Sequence, residues 1–295
     1  MNDTPSIQWF PGHMAKTRRL IKESLPLVDA VVEIIDARIP RSSKNPEIDG
    51  LIGSKQKVVV LNKADMADPV KTKLWLDYYK DNGIPCISCD LKSGKGLNGF
   101  IPMLKESLAP LLKKRQERGI QGKPLRIMVV GIPNVGKSSF INRMSKTKRA
   151  KVEDRPGVTR GRQWVTLADG TELLDMAGVL WPKFEDKDVG IKLAYTGAIK
   201  DRIMDTELLG MKLLDFLHRF YPDLLKERFK IPSDLQAEPY ELLELAAKGR
   251  GMIVSKGEPD TERAAIKILD EFRGGQLGRI TLELPPKSRG SIENV

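Results

Sequence analysis

The chain has 295 residues, room for about two domains, and its 40% hydrophobic and 30% charged residues are the composition of a globular protein. Fifty Lys and Arg against 39 Asp and Glu leave a net charge of +11, which suits an anionic partner such as nucleic acid. Apolar runs such as Val58–Leu61 and Ile127–Val130 fall far short of the roughly 18 residues of a membrane span, and Met1–Phe10 carries no secretory pattern, so a cytoplasmic protein without membrane contact is expected.

Short apolar stretches alternate with helical ones, the pattern of an α/β fold with a mostly parallel sheet. A helix is expected near Ala15–Leu25, then strands at Ala30–Ala37 and Lys57–Leu61, a helix at Val70–Asn82, an extended stretch at Ile84–Ile87 and a helix at Leu97–Leu112. Gly119–Pro124 reads as a connector before strands at Leu125–Val130 and Thr171–Asp175. After Trp181 and Pro182 the pattern is helical: Leu209, Leu213, Phe216, Leu217 and Phe220 recur on one face, as do Ala265, Ile268, Leu269 and Phe272, closed by Gly274 and Gly275. Arg279–Leu284 alternates like an extended segment, and Pro285–Pro286 stops it. The expected domains are therefore 1–181, α/β, and 182–295, smaller and mainly helical. Between Lys105 and Lys151 thirteen basic residues meet two acidic ones, whereas from Glu185 onward 18 meet 20, so RNA contact in the helical part must be local. Cys86 and Cys89 form one C-x-x-C without a second ligand pair and read as incidental.

Gly131-Ile-Pro-Asn-Val-Gly136-Lys137-Ser138 fits G-x-x-x-x-G-K-S between a strand and a helix. In such a loop Asn134, Val135, Gly136 and Ser139 surround the phosphates, Lys137 reaches the β- and γ-phosphates, and the Ser138 hydroxyl ligates Mg²⁺. Asn62-Lys63-Ala64-Asp65 chooses the base: a carboxylate at Asp65 accepts from both N1–H and N2–H₂ of guanine, a donor pair adenine lacks. Asn62 would brace that loop and the Lys63 stem cover the base face. Ser88–Cys89 fits, more loosely, a second base loop whose backbone N–H meets guanine O6. Asp175-Met-Ala-Gly178 fits D-x-x-G, with Asp175 holding Mg²⁺ through water and the Gly178 N–H sensing the γ-phosphate. Thr159, within Pro156–Arg160, is the candidate switch threonine over metal and phosphate. Jointly these short motifs describe a GTPase that binds GTP and GDP with Mg²⁺.

The guanine motif at Asn62–Asp65 precedes the phosphate loop at Gly131–Ser138, the reverse of ordinary small GTPases. The expected fold is thus a circularly permuted Ras-like P-loop GTPase domain whose old ends are joined through Gly119–Pro124. Its new end, Asp175–Trp181, leads straight into the helical domain, a route by which γ-phosphate state would reach that domain.

With Gln8-Trp-Phe-Pro-Gly-His13-Met-Ala-Lys16, the permuted order and Arg273-Gly-Gly-Gln-Leu-Gly-Arg-Ile-Thr-Leu-Glu283, nearly the whole chain resembles the circularly permuted GTPases, and among them the ribosome biogenesis GTPase A family. The resemblance implies a GTPase acting late in assembly of the large ribosomal subunit, binding the pre-subunit and its ribosomal RNA in a GTP-dependent way and leaving after hydrolysis. Met176–Ala177 departs from the family's usual Thr-Pro but leaves Asp175 and Gly178 in place. Val179 and Leu180 stand where a Ras-like enzyme has a water-orienting glutamine. The resemblance implies that His13 orients or deprotonates the water, making it a catalytic candidate beside Lys137 and Thr159; packing or RNA contact is its other reading. His218, between Leu217 and Arg219, reads as structural. Asn134 resembles the asparagine of potassium-stimulated GTPases, where K⁺ replaces an arginine finger, or else it braces the loop. Lys113–Arg118 and Lys146–Lys151 suit a phosphate backbone or plain solvent. A free monomer is expected, and the alternative function is a GTP-gated RNA-binding module with little intrinsic turnover.

Overall fold

The computed structural model describes residues 11–120, 122–145, 163–176, 186–199 and 204–286, with the side chains of 11–17 and 163 outside that description. One sheet runs in the order β3 (Cys86–Ser88), β2 (Gln56–Asn62), β1 (Ala30–Asp36), β4 (Arg126–Val130), β6 (Glu172–Asp175) and β5 (Gln163–Thr166). Every pairing is parallel except β5 on β6. Val32 of β1 aligns with Val58 on one side and Val129 on the other. All of β1 is buried, as a parallel sheet covered on both faces requires.

Helices α1 (Pro11–Ser24), α2 (Pro46–Ile52) and α3 (Pro69–Asp81) cover one face. Ile21, Ile48 and Ile52 pack on Val31, Met128, Val130 and Leu174, while Trp75 and Tyr79 pack on Ile35, Val59 and Leu61. The residues between these along each strand, Val32, Ile34, Val58 and Val60, point to the opposite face by the two-residue period and are fully buried too. Two helix starts are set by short carboxamide or carboxylate caps followed by proline: Asn45 Oδ1 accepts from Glu47 N at 3.0 Å, and Asp68 Oδ1 accepts from Val70 N at 2.9 Å. The stretch expected as one helix over Leu97–Leu112 is two, α4 (Phe100–Ser107) and α5 (Ala109–Glu117). Pro110 has no N–H for the carbonyl four residues back, and its ring obstructs that turn. α6 (Lys137–Met144) follows the phosphate loop, and its Phe140 meets Phe100 of α4 edge-on at 5.0 Å. The sequence reading lacked α2 and β5, elements of seven and four residues that are too short for a clear period.

β1 leads on to β2 and β3 in one direction, β4 to β6 in the other, so the order reverses between β1 and β4. In such sheets the crevice at the carboxyl ends of the strands, beside that reversal, is where ligands bind.

The described residues divide into two compact units, and the helical one ends at Ile280. It holds α7 (Lys187–Tyr195), α8 (Thr206–Phe220), α9 (Pro222–Phe229), α10 (Pro239–Gly249) and α11 (Thr261–Arg273). Leu209, Leu213, Leu214 and Leu217 of α8 are buried, whereas Phe220, expected on the same face, is 60% exposed. Its ring stacks at 4.7 Å on Phe216 instead. Ala265, Ile268, Leu269 and Phe272 of α11 are buried, and the buried Glu271 takes a two-pronged hydrogen bond from Arg228, 2.8 Å on each oxygen. Thr281–Pro286, placed by sequence in the helical domain, belongs to the sheet unit, where Leu282 N donates to Arg38 O at 2.8 Å. No helix among the described residues is long and apolar enough to cross a membrane.

α8 and α11 are in close contact at Gly210, where an added Cβ would lie 2.7 Å from Ala265 Cβ and 2.9 Å from its Cα. Gly210→Ala must therefore push the two helices apart, and equilibrium denaturation should show a loss of about 1–3 kcal/mol. GDP affinity, measured at a temperature where both proteins are folded, should be unchanged.

Candidate active site

The phosphate loop leaves β4 through Gly131, whose φ of +153° and open Cβ position, 2.5 Å from Ile34 O, admit only glycine. It turns through Asn134, itself left-handed at φ +58°, and enters α6 at Gly136, φ +107°. A Cβ on Gly136 would meet Asn62 Nδ2 at 2.3 Å. Lys137, Ser138 and Ser139 then form the first turn of α6, whose backbone N–H groups have no partner within the helix and favour an anion.

Lys137 is buried, and its Nζ donates to Gly131 O at 3.0 Å and Ile132 O at 2.7 Å. Burial pushes its pKa down to about 8, with the Asp175 carboxylate opposing. Asp175 closes β6; burial pushes its pKa up to about 6 against the pull of Lys137. Its buried Oδ1 has no hydrogen-bond partner among the described residues. A buried ammonium short of charge and a buried carboxylate oxygen without a donor are the two groups that a phosphate and a divalent cation would satisfy.

Asn62, the last residue of β2, joins the loops: Nδ2 donates to Val135 O of the phosphate loop at 2.7 Å, and Oδ1 accepts from Leu91 N at 3.1 Å. Lys63 turns the chain at φ +62° and places Nζ 3.0 Å from Asp36 Oδ2. Asp65 is exposed. Ala64 N donates to Cys89 O at 3.1 Å and Cys89 N to Leu61 O at 2.9 Å, so the Ser88–Cys89 loop lies along the Asn62–Asp65 loop. Burial pushes the Cys89 thiol up to about 12, helped by Asp90 and Asp65, and Cys86 higher still; neither is a nucleophile at neutral pH. Arg143 of α6 donates to Lys92 O, tying the loop beyond Cys89 to the phosphate-loop helix.

Asp36 and Arg38 escaped the sequence reading. Both are buried, with Arg38 NH2 2.8 Å and Nε 3.0 Å from the carboxylate. Burial alone would raise Asp36, but the Arg38 and Lys63 charges outweigh it and hold the carboxyl far below the usual range. The available signal was an Asp at the end of a mostly apolar strand and an Arg two residues further on. Thr159, Gly178 and the Lys146–Lys151 cluster lie outside the described residues, as does the side chain of His13, whose position falls in α1.

A phosphate loop and a guanine-type loop, carried in permuted order at one end of a doubly covered parallel sheet, define a circularly permuted GTPase. A family model for 50S ribosome-binding GTPases matches residues 126–216. Ribosome biogenesis GTPase A of Bacillus cereus is 44% identical over 289 residues, covering 98% of this chain and 97% of that protein. Mitochondrial ribosome-associated GTPase 1 of Mus musculus is 32% identical over 295 residues, covering 94% and 90%. The crystal structure of GNP-bound YlqF from T. maritima superposes with a TM-score of 0.62 at 26% identity, covering 91% of this chain and 98% of that one. The chain belongs to the ribosome biogenesis GTPase A family and is a GTPase.

Replacing Asn62 by Ala strands a buried carbonyl and a buried amide, each costing about 1–3 kcal/mol. Titration with fluorescent GDP should show affinity lowered at least about ten-fold, with a lower Tm. Asp175 keeps its proton up to about pH 6, so below that point Mg²⁺ must displace it. Apparent Mg²⁺ affinity with GDP bound should fall by about ten-fold per pH unit there and level off above. Asp175→Asn should bind weakly and retain only the shallower slope of the phosphate. In the free protein the sign is opposite: the unfolded carboxyl titrates near 3.8, so this residue's contribution to stability declines as pH rises from about 4 to about 6.

Proposed function

We propose that this site hydrolyses GTP to complete a late step in maturation of the large ribosomal subunit, with the chain docked on pre-subunit ribosomal RNA in its GTP form and released after hydrolysis. The observation that supports phosphate chemistry here is the buried pair of Lys137, its pKa down to about 8, and Asp175, its pKa up to about 6. The subunit follows from the names of the relatives, Ribosome biogenesis GTPase A and Mitochondrial ribosome-associated GTPase 1. The excess of 50 basic over 39 acidic residues suits RNA as the contact.

Asn62, Lys63, Ala64 and Asp65 seat guanine, with Asp65 as acceptor for its N1–H and N2–H₂ and the Ser88–Cys89 backbone facing O6. Asn134–Ser139 cradle the phosphates, and Lys137 draws charge from the β–γ bridge as it breaks. Ser138, Asp175 and Thr159 would hold Mg²⁺, which when bound offsets charge on the phosphate oxygens. The orphaned Asp175 Oδ1 and the hydroxyls of Ser138 and Thr159 are the hard oxygen donors that this cation takes. Gly178 N–H senses the γ-phosphate. With Val179 and Leu180 in place of a glutamine, His13 orients the attacking water, and Asn134 would hold a K⁺, which when bound would supply charge where an arginine finger would. The cytoplasm is the compartment such a factor works in, as a monomer until it docks.

Steady-state hydrolysis with and without purified large subunits tests this reading. Turnover should rise at least about ten-fold on adding subunits in KCl and much less in NaCl, His13→Ala should lose the stimulated rate while binding GTP normally, and Lys137→Ala should lose binding. Tight GTP binding without stimulation would instead favour the GTP-gated RNA-binding module acting on another RNA.

A further inference from the structure

The Arg273–Glu283 motif ends in a strap, Thr281–Glu283, that lies on the sheet unit beside the base loop. Leu282 N donates to Arg38 O at 2.8 Å. The Thr281 hydroxyl, fully buried, donates to Ala37 O at 3.1 Å and accepts from Asp68 N at 3.1 Å, across 213 residues of chain. Lys71 Nζ donates to Thr281 O at 3.0 Å, and Trp75 Nε1 to Glu283 O at 3.1 Å. The Glu283 carboxylate accepts from Arg41 N at 2.7 Å, from Ser42 N at 3.0 Å and from the Ser42 hydroxyl.

What the strap holds in turn holds the base loop. Ala37 N donates to Asn62 O at 2.8 Å, and the Asp36 carboxylate pairs with Lys63 Nζ at 3.0 Å. Asn62–Asp65 is thus gripped at Asn62 and Lys63 by the end of β1 and the residue after it, and just beyond its own end, at Asp68, by Thr281 itself. One buried hydroxyl, using its donor and its acceptor, joins both grips. We propose that Thr281 and Glu283 are positioning residues for guanine recognition, the strap holding the Asn62–Asp65 loop so that the Asp65 carboxylate meets the base. This rests on the reading of Asp65 as the guanine acceptor.

A selectivity ratio tests it with the full chain. IDP lacks the N2 amino group and so keeps one of the two donors that Asp65 accepts, making the ratio of IDP to GDP dissociation constants a measure of how well that carboxylate is placed. By calorimetry, Thr281→Val, which keeps the shape without the hydroxyl, should weaken GDP by about ten-fold and IDP by only about three-fold, shrinking the ratio. Thr281→Ser should restore it. Asp65→Asn should abolish the ratio whatever the strap does. If Asp65→Asn leaves the ratio intact, the guanine-loop reading fails and the strap proposal falls with it. If Asp65→Asn abolishes it while Thr281→Val changes only Tm, or weakens both nucleotides equally, the strap is a fastener alone and the proposal is overturned. Should Thr281→Val not fold, Glu283→Gln carries the same test, with a shrunken ratio expected and an unchanged one overturning the proposal.

Discussion

Everything at the carboxyl end of the sheet depends on one buried carboxamide. Asn62 gives its donor to the phosphate loop and its acceptor to the loop after β3, at 2.7 and 3.1 Å, so a single side chain ties the two loops together. The arrangement tolerates no Cβ at Gly136, which lies against the same amide nitrogen. Glycine at that position is therefore demanded twice, by its positive φ and by the space Asn62 takes. One amide thus links loops that leave separate strands of the sheet.

Around that side chain the fold keeps charges that burial disfavours. Lys137 and Asp175 are both pushed toward neutrality, whereas Asp36 is kept ionised by Arg38 and Lys63. The contrast sorts the groups: Asp36 has its opposite charges inside the protein, while for Lys137 and Asp175 burial outweighs the opposite charge each meets. Left-handed backbone at Lys63 and Asn134, of order 1–3 kcal/mol each, is held where the two loops turn.

Permutation alters what the chain can connect without altering the sheet. The strand bearing Asp175 is followed in sequence by the helical unit, and the residues after that unit return to the sheet unit beside the base loop. In sequence the helical unit is therefore bracketed by the strand that ends at Asp175 and by the Thr281–Glu283 strap.

The sequence by itself determined the fold class, the permuted motif order and most strands, because these rest on local signals: apolar periodicity, glycines at turns, and fixed spacings of polar residues. It placed Phe220 in the helical core and ran one helix through Pro110, since periodicity reports a face without saying whether anything covers it, and a proline near a helix start is compatible with either side of a break. Tertiary structure alone decided that Asp36 and Arg38 stand beneath Lys63, that Asn62 links the loops, and that Thr281 and Glu283 lie on the sheet unit. The physical reason is distance along the chain. A hydrogen bond between Thr281 and Asp68, 213 residues apart, leaves no period or spacing to read, and only the packed sheet brings its donor and acceptor together.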